Sequence, residues 1–180
     1  MFEKFSEPAR RAIFFSRYEA SRAGKQLIGS EHVLLGILRE RDPVTTEFWR
    51  MFSVEPEVIR AQFPTIEEQI SSSAELPISE NVKKVLAYSI EEAKAREDSE
   101  VEPYHLVLAI LRVPDCQAAA LLAESGVEYE LVAEVARVLS HELKKRAELE
   151  ERTPIVLRQS HYELLDVIAA SMNLPEARKY

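Results

Sequence analysis

His32 and His105 are the residues of this chain best placed to do chemistry, and their spacing argues against it. Each stands in front of a Leu/Ile-rich run, IGSEHVLLGILRE from Ile28 to Glu40 and VEPYHLVLAILR from Val101 to Arg112, and the two lie 73 residues apart. A Ser/His/acid machine brings one imidazole, one nucleophile and one carboxylate to one place. A histidine that recurs at the same point of a repeat reads instead as scaffold, satisfying backbone groups at a helix start. The four histidines, His32, His105, His141 and His161, show no H-x-x-x-H spacing for a metal. A phosphate-cradling loop needs glycines ahead of Lys-Ser/Thr. The glycines here are Gly24, Gly29, Gly36 and Gly126, and Gly24-Lys25 runs into Gln26. The lone cysteine, Cys116, follows Pro114-Asp115 at a helix start and reads as a small semi-buried thiol. The expectation is a chain that is not an enzyme, with no catalytic residue, cofactor or metal.

The elements that carry these residues are themselves doubled. The same offset lays Ser6 on Ser79, Ala12 on Val85, Glu19-Ala20 on Glu92-Ala93, Phe48 on Leu121 and Val54 on Val127. One offset held without a gap across about fifty positions is an internal duplication. In the first copy Ser6 caps a helix with Pro8 in its first turn. Ala12, Ile13, Phe15, Ala20 and Ala23 recur at helical spacing, with Arg10, Arg11, Arg17 and Arg22 on the wet side. Gly24 ends that helix. Ser30 is expected to cap the next, whose Val33, Leu34, Leu35, Ile37 and Leu38 make it apolar nearly all round and therefore central. Asp42-Pro43 starts a third helix and Pro56 a fourth, stopped by Pro64. Residues Pro64–Ile78 form a connector, with Ser71-Ser72-Ser73 and Pro77 its least ordered part.

The second copy repeats the plan. Ser79 caps a helix to about Arg96, Pro103 begins the central one, Asp115–Ser125 is the third, and a longer fourth follows Gly126 from near Glu128. β-Branched alternation is almost absent. The signals predict an all-α fold of eight helices in two tandem four-helix halves, about 1–63 and 79–145, within a domain spanning 1–145. An extension, 146–180, carries one extra C-terminal helix: Ser160-x-x-Glu163 is a capping box ahead of Tyr162, Leu165, Ile168, Ala169 and Met172. That helix either covers an apolar patch on the double repeat or docks on a partner or a second copy. Periodicity does not separate the two, because both bury one face. Among Phe48, Trp49 and Phe52, Phe48 matches Leu121 and belongs to the core. Trp49 and Phe52 either pack with it or form a hydrophobic partner surface, as Tyr162, Leu165 and Ile168 would.

Bulk properties narrow the partners. The 180 residues are 46% hydrophobic and 30% charged, with Lys plus Arg at 23 against Asp plus Glu at 31, a net charge of −8. That balance disfavours nucleic acid, whose binders need a basic face. No uninterrupted apolar run approaches about 18 residues, and MFEKFSEPARR has no hydrophobic signal core. A single cysteine suits a reducing compartment. The expectation is a cytoplasmic protein with protein partners and no membrane contact.

Phe5-Ser6-Glu7-Pro8-Ala9 followed by Ile28-Gly29-Ser30-Glu31-His32-Val33-Leu34-Leu35-Gly36-Ile37-Leu38, with a weaker copy in Ile78-Ser79-Glu80 and Val101 to Arg112, resembles the Clp N-terminal double repeat. That domain stands in front of the ATPase modules of Clp-type unfoldases, and the resemblance covers about 1–143. It implies a pseudo-twofold helical domain that docks clients or adaptors, recruiting them to or modulating a Clp unfoldase or protease. Small Clp-repeat proteins of plants that bind the protease core make attachment to the Clp machine a second version. No ATPase follows the double repeat, and the tail after Glu151 favours a free-standing relative over an excised fragment. In some Gram-positive bacteria the corresponding domain binds phosphorylated arginine through a hydroxyl at the first helix start and the Glu of the Glu-His motif. Carried over, this places Ser6 with Glu31 in a first pocket, where Glu31 pairs with guanidinium and the capped helix start suits phosphate. In the second, Ser79 is kept, but Tyr104 takes the Glu position and Pro103 the capping position. A reading from another class remains beside this one: a self-associating structural or regulatory domain, homodimeric through the Tyr162–Met172 helix.

Overall fold

The computed structural model describes residues 2–52, 54–63 and 76–152. The connector from Pro64, the Tyr162–Met172 helix and its Leu165 and Ile168 therefore lie outside the described residues, apart from the connector's last three positions. The chain divides into two compact units, Met1–Ala133 and Glu134–Tyr180. Eight α-helices are described: α1 (Glu7–Arg22), α2 (Ser30–Glu40), α3 (Pro43–Met51), α4 (Pro56–Ala61), α5 (Glu80–Ala95), α6 (Pro103–Leu111), α7 (Gln117–Glu124) and α8 (Tyr129–Arg152). The first seven and the start of α8 make up the first unit. In the second, α8 runs on to Arg152, with Arg137 paired to Glu134 at 2.6 Å on its exposed surface.

Helix starts follow the side chains that can satisfy free amides. Ser6 Oγ accepts from Ala9 N at 3.3 Å and Ser79 Oγ from Val82 N at 3.2 Å, the same bond in the two copies. Asp42 does so for α3 through Thr45 N at 3.1 Å. Gly24 closes the first helix region with φ +62°, a left-handed angle that costs glycine little. Ser30 departs from expectation. It is the first residue of α2 rather than its cap, which is Gly29, and its Oγ instead accepts from Ala118 N of α7 at 3.2 Å. His32 Nδ1 accepts the Gly29 N–H at 2.9 Å, and the His32 N–H goes to the Gly29 carbonyl at 3.2 Å. His105 Nδ1 takes the Glu102 N–H at the same 2.9 Å at the start of α6. Both histidines thus fill the third-position role that Glu or Gln has in a capping box.

The core is built on α2 and α6. Leu34, Leu35 and Ile37 on one, and Leu106, Leu108 and Ile110 on the other, are fully buried. Enclosing a side chain of this size stabilises by about 1.5–3 kcal/mol relative to leaving it in water. Helix α1 lies close against α2 at Gly36, where an added Cβ would overlap the Ala12 carbonyl oxygen and reach the Ser16 backbone and hydroxyl. Trp49 is also core, at 5% exposure and edge-to-face with Phe48 at 4.6 Å. It offers no partner surface, because its face of α3 is the one that packs inward. Phe52, half-buried, leans on Phe48 at a centroid distance of 4.6 Å.

The two copies are joined by a symmetric seam. Phe5 forms a parallel bridge with Val101, and Ile28 forms one with Ile78. Ser6 N donates to Val101 O at 3.0 Å and Val101 N to Lys4 O at 2.7 Å; Ser79 N donates to Ile28 O at 3.0 Å and Ile28 N to Pro77 O at 2.8 Å. Each bond of one pair is the other displaced by the repeat offset, with the copies exchanged. That exchange is the pseudo-twofold.

Candidate functional site

Because the lead-in to each copy's first helix pairs with the other copy, the expected pocket residues meet across the seam. Ser6 does not face the motif of its own copy. Its hydroxyl donates to Glu102 Oε2 at 2.8 Å, at the start of α6. Ser79 is set beside Ile28 and Gly29, where the Glu31 carboxylate folds back over Gly29 so closely that a Cβ there would overlap it. The two ends therefore group as Ser6 with Glu102 and Tyr104's helix start, and Ser79 with Gly29 and Glu31's helix start. The pairing of Ser6 with Glu31 expected within one copy is not the one the backbone makes.

The two ends differ in charge. At the second-copy motif, Tyr104 is buried and its hydroxyl donates to Asp98 Oδ2, while His105 Nε2 lies 3.2 Å from the same oxygen. Burial pushes the His105 imidazole down to about 4, against the opposing pull of Asp98. Burial also holds the Glu102 carboxyl above its ordinary range. Ser6 opposes that rise, and Asp42, Glu100 and Asp98 add to it. In the first copy, Lys25 stands where Asp98 would be and Glu31 where Tyr104 would be. Glu31 Oε1 lies 3.3 Å from His32 Nδ1, and His32 Nε2 has no hydrogen-bond partner among the described residues. The His32 imidazole is lowered by burial first, with Glu31 raising it and Lys25 lowering it further. Each histidine has one ring nitrogen committed to a backbone amide.

A groove of about 360 Å³ lies beside the Ser79 end of the seam, lined by Arg10, Ile13, Phe14, Arg17, Ile28 and Ile78. The α1 residues follow the i, i+3, i+4, i+7 order of one helix face. Phe14 is 65% exposed and Leu27, next to Ile28, is 46% exposed. Among the described lining residues none is acidic, although the chain as a whole carries −8. Sequence periodicity missed this face because Arg10 and Arg17 mark it as the wet side of α1. A signal was present in the repeat: the counterpart of Phe14 is Ala87, so an aromatic ring sits at an exposed position that the second copy fills with a methyl group.

Among the described residues no group of three or more His, Cys, Asp or Glu side chains could hold a metal ion, and no helix is long and apolar enough to cross a membrane.

Comparison with known proteins agrees with this architecture. The family profile described as the Clp repeat (R) N-terminal domain matches residues 4–125 and, overlapping, 77–161. The chloroplastic chaperone protein ClpC2 of Arabidopsis thaliana is 30% identical over 130 residues, 71% of this chain and 14% of its own length. The ClpA homolog of Porphyra purpurea, an ATP-dependent Clp protease ATP-binding subunit, is 29% identical over 142 residues, 77% of this chain and 17% of its own length. The chain thus spans a small fraction of these relatives. Among solved structures, the N-terminal domain of the caseinolytic protease associated chaperone ClpD from Arabidopsis thaliana superposes with a TM-score of 0.57 at 26% identity, covering 80% of this chain and 97% of that one. The Hsp104 N-terminal domain from Candida albicans shares the fold, with a TM-score of 0.59 at 17% identity over 74% of this chain and 89% of that one. With its duplicated helical motif, its exchanged seam and the profile matched over most of its length, this chain belongs to the Clp repeat (R) N-terminal domain family.

Proposed function

We propose that this chain is a non-catalytic protein-binding module of the Clp chaperone and protease system, working in the cytoplasm and taking a client, adaptor or Clp subunit on the outer face of α1. The observation that carries the reading is the groove around Phe14. An aromatic ring 65% exposed, flanked by Ile13 and set between Arg10 and Arg17, is apolar surface that a folded chain gains nothing by leaving in water. Its occupant is an apolar segment of a partner protein, with an acidic residue meeting Arg10. The buried histidines, each holding a backbone amide, support the absence of catalysis. The seam is a second zone of recognition in this reading, with Glu31 and Ser79 at its more open end and Ser6 and Tyr104 at the end where Glu102 already occupies the serine.

A pull-down from host lysate with the full chain and with a Phe14→Ala/Arg10→Glu variant tests it. Recovery of Clp subunits or client proteins by the wild type, lost in the variant, is the expected result. Equal recovery by both removes the groove. Self-association of the wild type at micromolar concentration, measured by light scattering, with no Clp component captured, replaces the reading with a homomeric one.

A further inference from the structure

The two seam ends are related by the repeat, yet only one carries a side chain at the position facing the serine. Residue 102 is Glu in the second copy, and its counterpart in the first is Gly29. Glu102 Oε2 accepts the hydroxyl proton of Ser6 at 2.8 Å, while Ser6 Oγ itself accepts from Ala9 N at 3.3 Å. The start of α1 therefore already holds an anionic group, delivered from the other copy. Helix N-termini favour negative charge, and a carboxylate within hydrogen-bond reach of the capping hydroxyl fills that place. At the related end, Ser79 Oγ accepts from Val82 N at 3.2 Å, and among the described residues its hydroxyl donates to no acceptor.

We propose that Glu102 is an internal ligand of the α1 N-terminus, closing to outside anions the end that the pseudo-twofold would otherwise duplicate. Two features act together. The single hydroxyl proton of Ser6 is spent on Glu102, and an incoming phosphate or carboxylate would have to displace a carboxylate that has Asp98, Glu100 and Asp42 around it. Like charges at that range oppose entry even where space is made. Glu102 is thus a specificity-determining residue: it makes the two copies unequal and sets how many anionic groups the chain accepts at its seam. This inference does not depend on the groove around Phe14.

The test is titration of the full-length, isotope-labelled chain with phosphoarginine and, separately, with inorganic phosphate, following the backbone amide signals of Ser6, Glu7 and Ala9. In the wild type these signals stay still up to millimolar ligand. In Glu102→Gly, which installs the residue of the first copy, they move and saturate with an affinity at least tenfold higher. Glycine is a good residue at a helix N-cap, as Gly29 shows for α2, so the variant keeps its fold. A second variant, Glu102→Ala, repeats the opening without glycine's backbone freedom, and a native-like amide spectrum certifies each protein used. Saturating shifts at Ser6 in the wild type overturn the proposal. So does a folded Glu102→Gly and Glu102→Ala pair that stays unresponsive to both probes.

Discussion

Glu19 and Glu92 stand at equivalent points of the two copies, and each holds the arginine that follows it by twenty residues. Glu19 Oε1 receives Arg39 at 3.1 Å, and Glu92 Oε1 receives Arg112 at 2.9 Å. Both carboxylates are about 4% exposed, and each has a further cation, Arg60 on Glu19 at 3.0 Å and Arg96 on Glu92. Tyr129 adds a hydroxyl bond to Glu92 at 2.9 Å. The two arginines also lie over aromatic rings, Arg39 at 4.3 Å from the Tyr18 centroid and Arg112 at 4.2 Å from that of Tyr88. Breaking such a buried pair from one side leaves its partners without compensation. Glu19→Ala is expected to cost about 3 kcal/mol, the low end for buried pairs, because Arg39 and Arg60 keep 35% and 30% of their side chains in water. Urea denaturation of the variant beside wild type checks it. A change below about 0.5 kcal/mol would count against a structural role for the cluster.

His105 makes stability depend on pH. Its folded-state value is pushed down to about 4 from 6.5, so below pH 6.5 the unfolded chain takes up a proton that the folded chain refuses. Stability is therefore full above about pH 6.5 and falls as the pH drops toward 4. At about 1.4 kcal/mol per pH unit the loss amounts to about 3 kcal/mol. His105→Asn keeps an acceptor for the Glu102 amide and removes the titration. Its denaturation midpoint should flatten across pH 4–6.5; a slope equal to that of the wild type refutes the assignment.

Glu102 titrates in the opposite sense. Its folded-state value is raised, so its share of stability is complete below the unfolded value and is lost as pH rises through the folded one. Glu102→Gln keeps an acceptor for Ser6 and sheds the buried charge. Thermal melts should show the variant at least as stable as wild type at pH 7, with that margin shrinking at pH 4. A margin that grows on acidification would contradict the burial of this carboxylate.

Gly36 tests how tightly α1 and α2 meet. Alanine has the higher helix propensity and should stabilise an open position by about 1 kcal/mol. Here the added methyl would overlap the Ala12 carbonyl oxygen, a backbone atom that cannot swing aside. Gly36→Ala is expected to destabilise by about 1–3 kcal/mol instead. Calorimetry giving a higher melting temperature for the variant would mean that the helices separate at low cost.

Much of the fold was legible in the residues because the duplication gave every helix two independent signatures. Ser6 and Ser79 marked two starts, Gly24 one end, and the runs behind His32 and His105 the two buried helices. The seam was not legible. Phe5, Ile28, Ile78 and Val101 each contribute a single bridging residue, and one residue has no periodicity to read. Without the seam, Ser6 could only be matched to the Glu31 of its own copy, whereas the bridges carry it to Glu102. Ser30 illustrates a second limit. A serine before an apolar run is a good cap from sequence, but the Ser30 hydroxyl is taken by the Ala118 amide of α7, a partner 88 residues away that local spacing does not reveal. The groove stayed hidden because Ile13 and Phe14 share a helix with an inward apolar face, and solvent exposure is a property of the assembled helices.

The exchange at the seam makes each half depend on the other. Phe5 leans on Val101 and Ile78 on Ile28, so neither copy supplies the partner for its own lead-in. A protein made of one copy would leave both backbone edges open, and a second molecule of the same kind, turned about a twofold axis, would close them. The present chain has the geometry that such a pair of molecules would have. Held in one chain, the pairing is tethered rather than dependent on concentration, and the second half is always at hand. Two halves of one chain can also differ, which two identical subunits cannot. Gly29 at the place of Glu102, Lys25 at that of Asp98 and Phe14 at that of Ala87 are such differences.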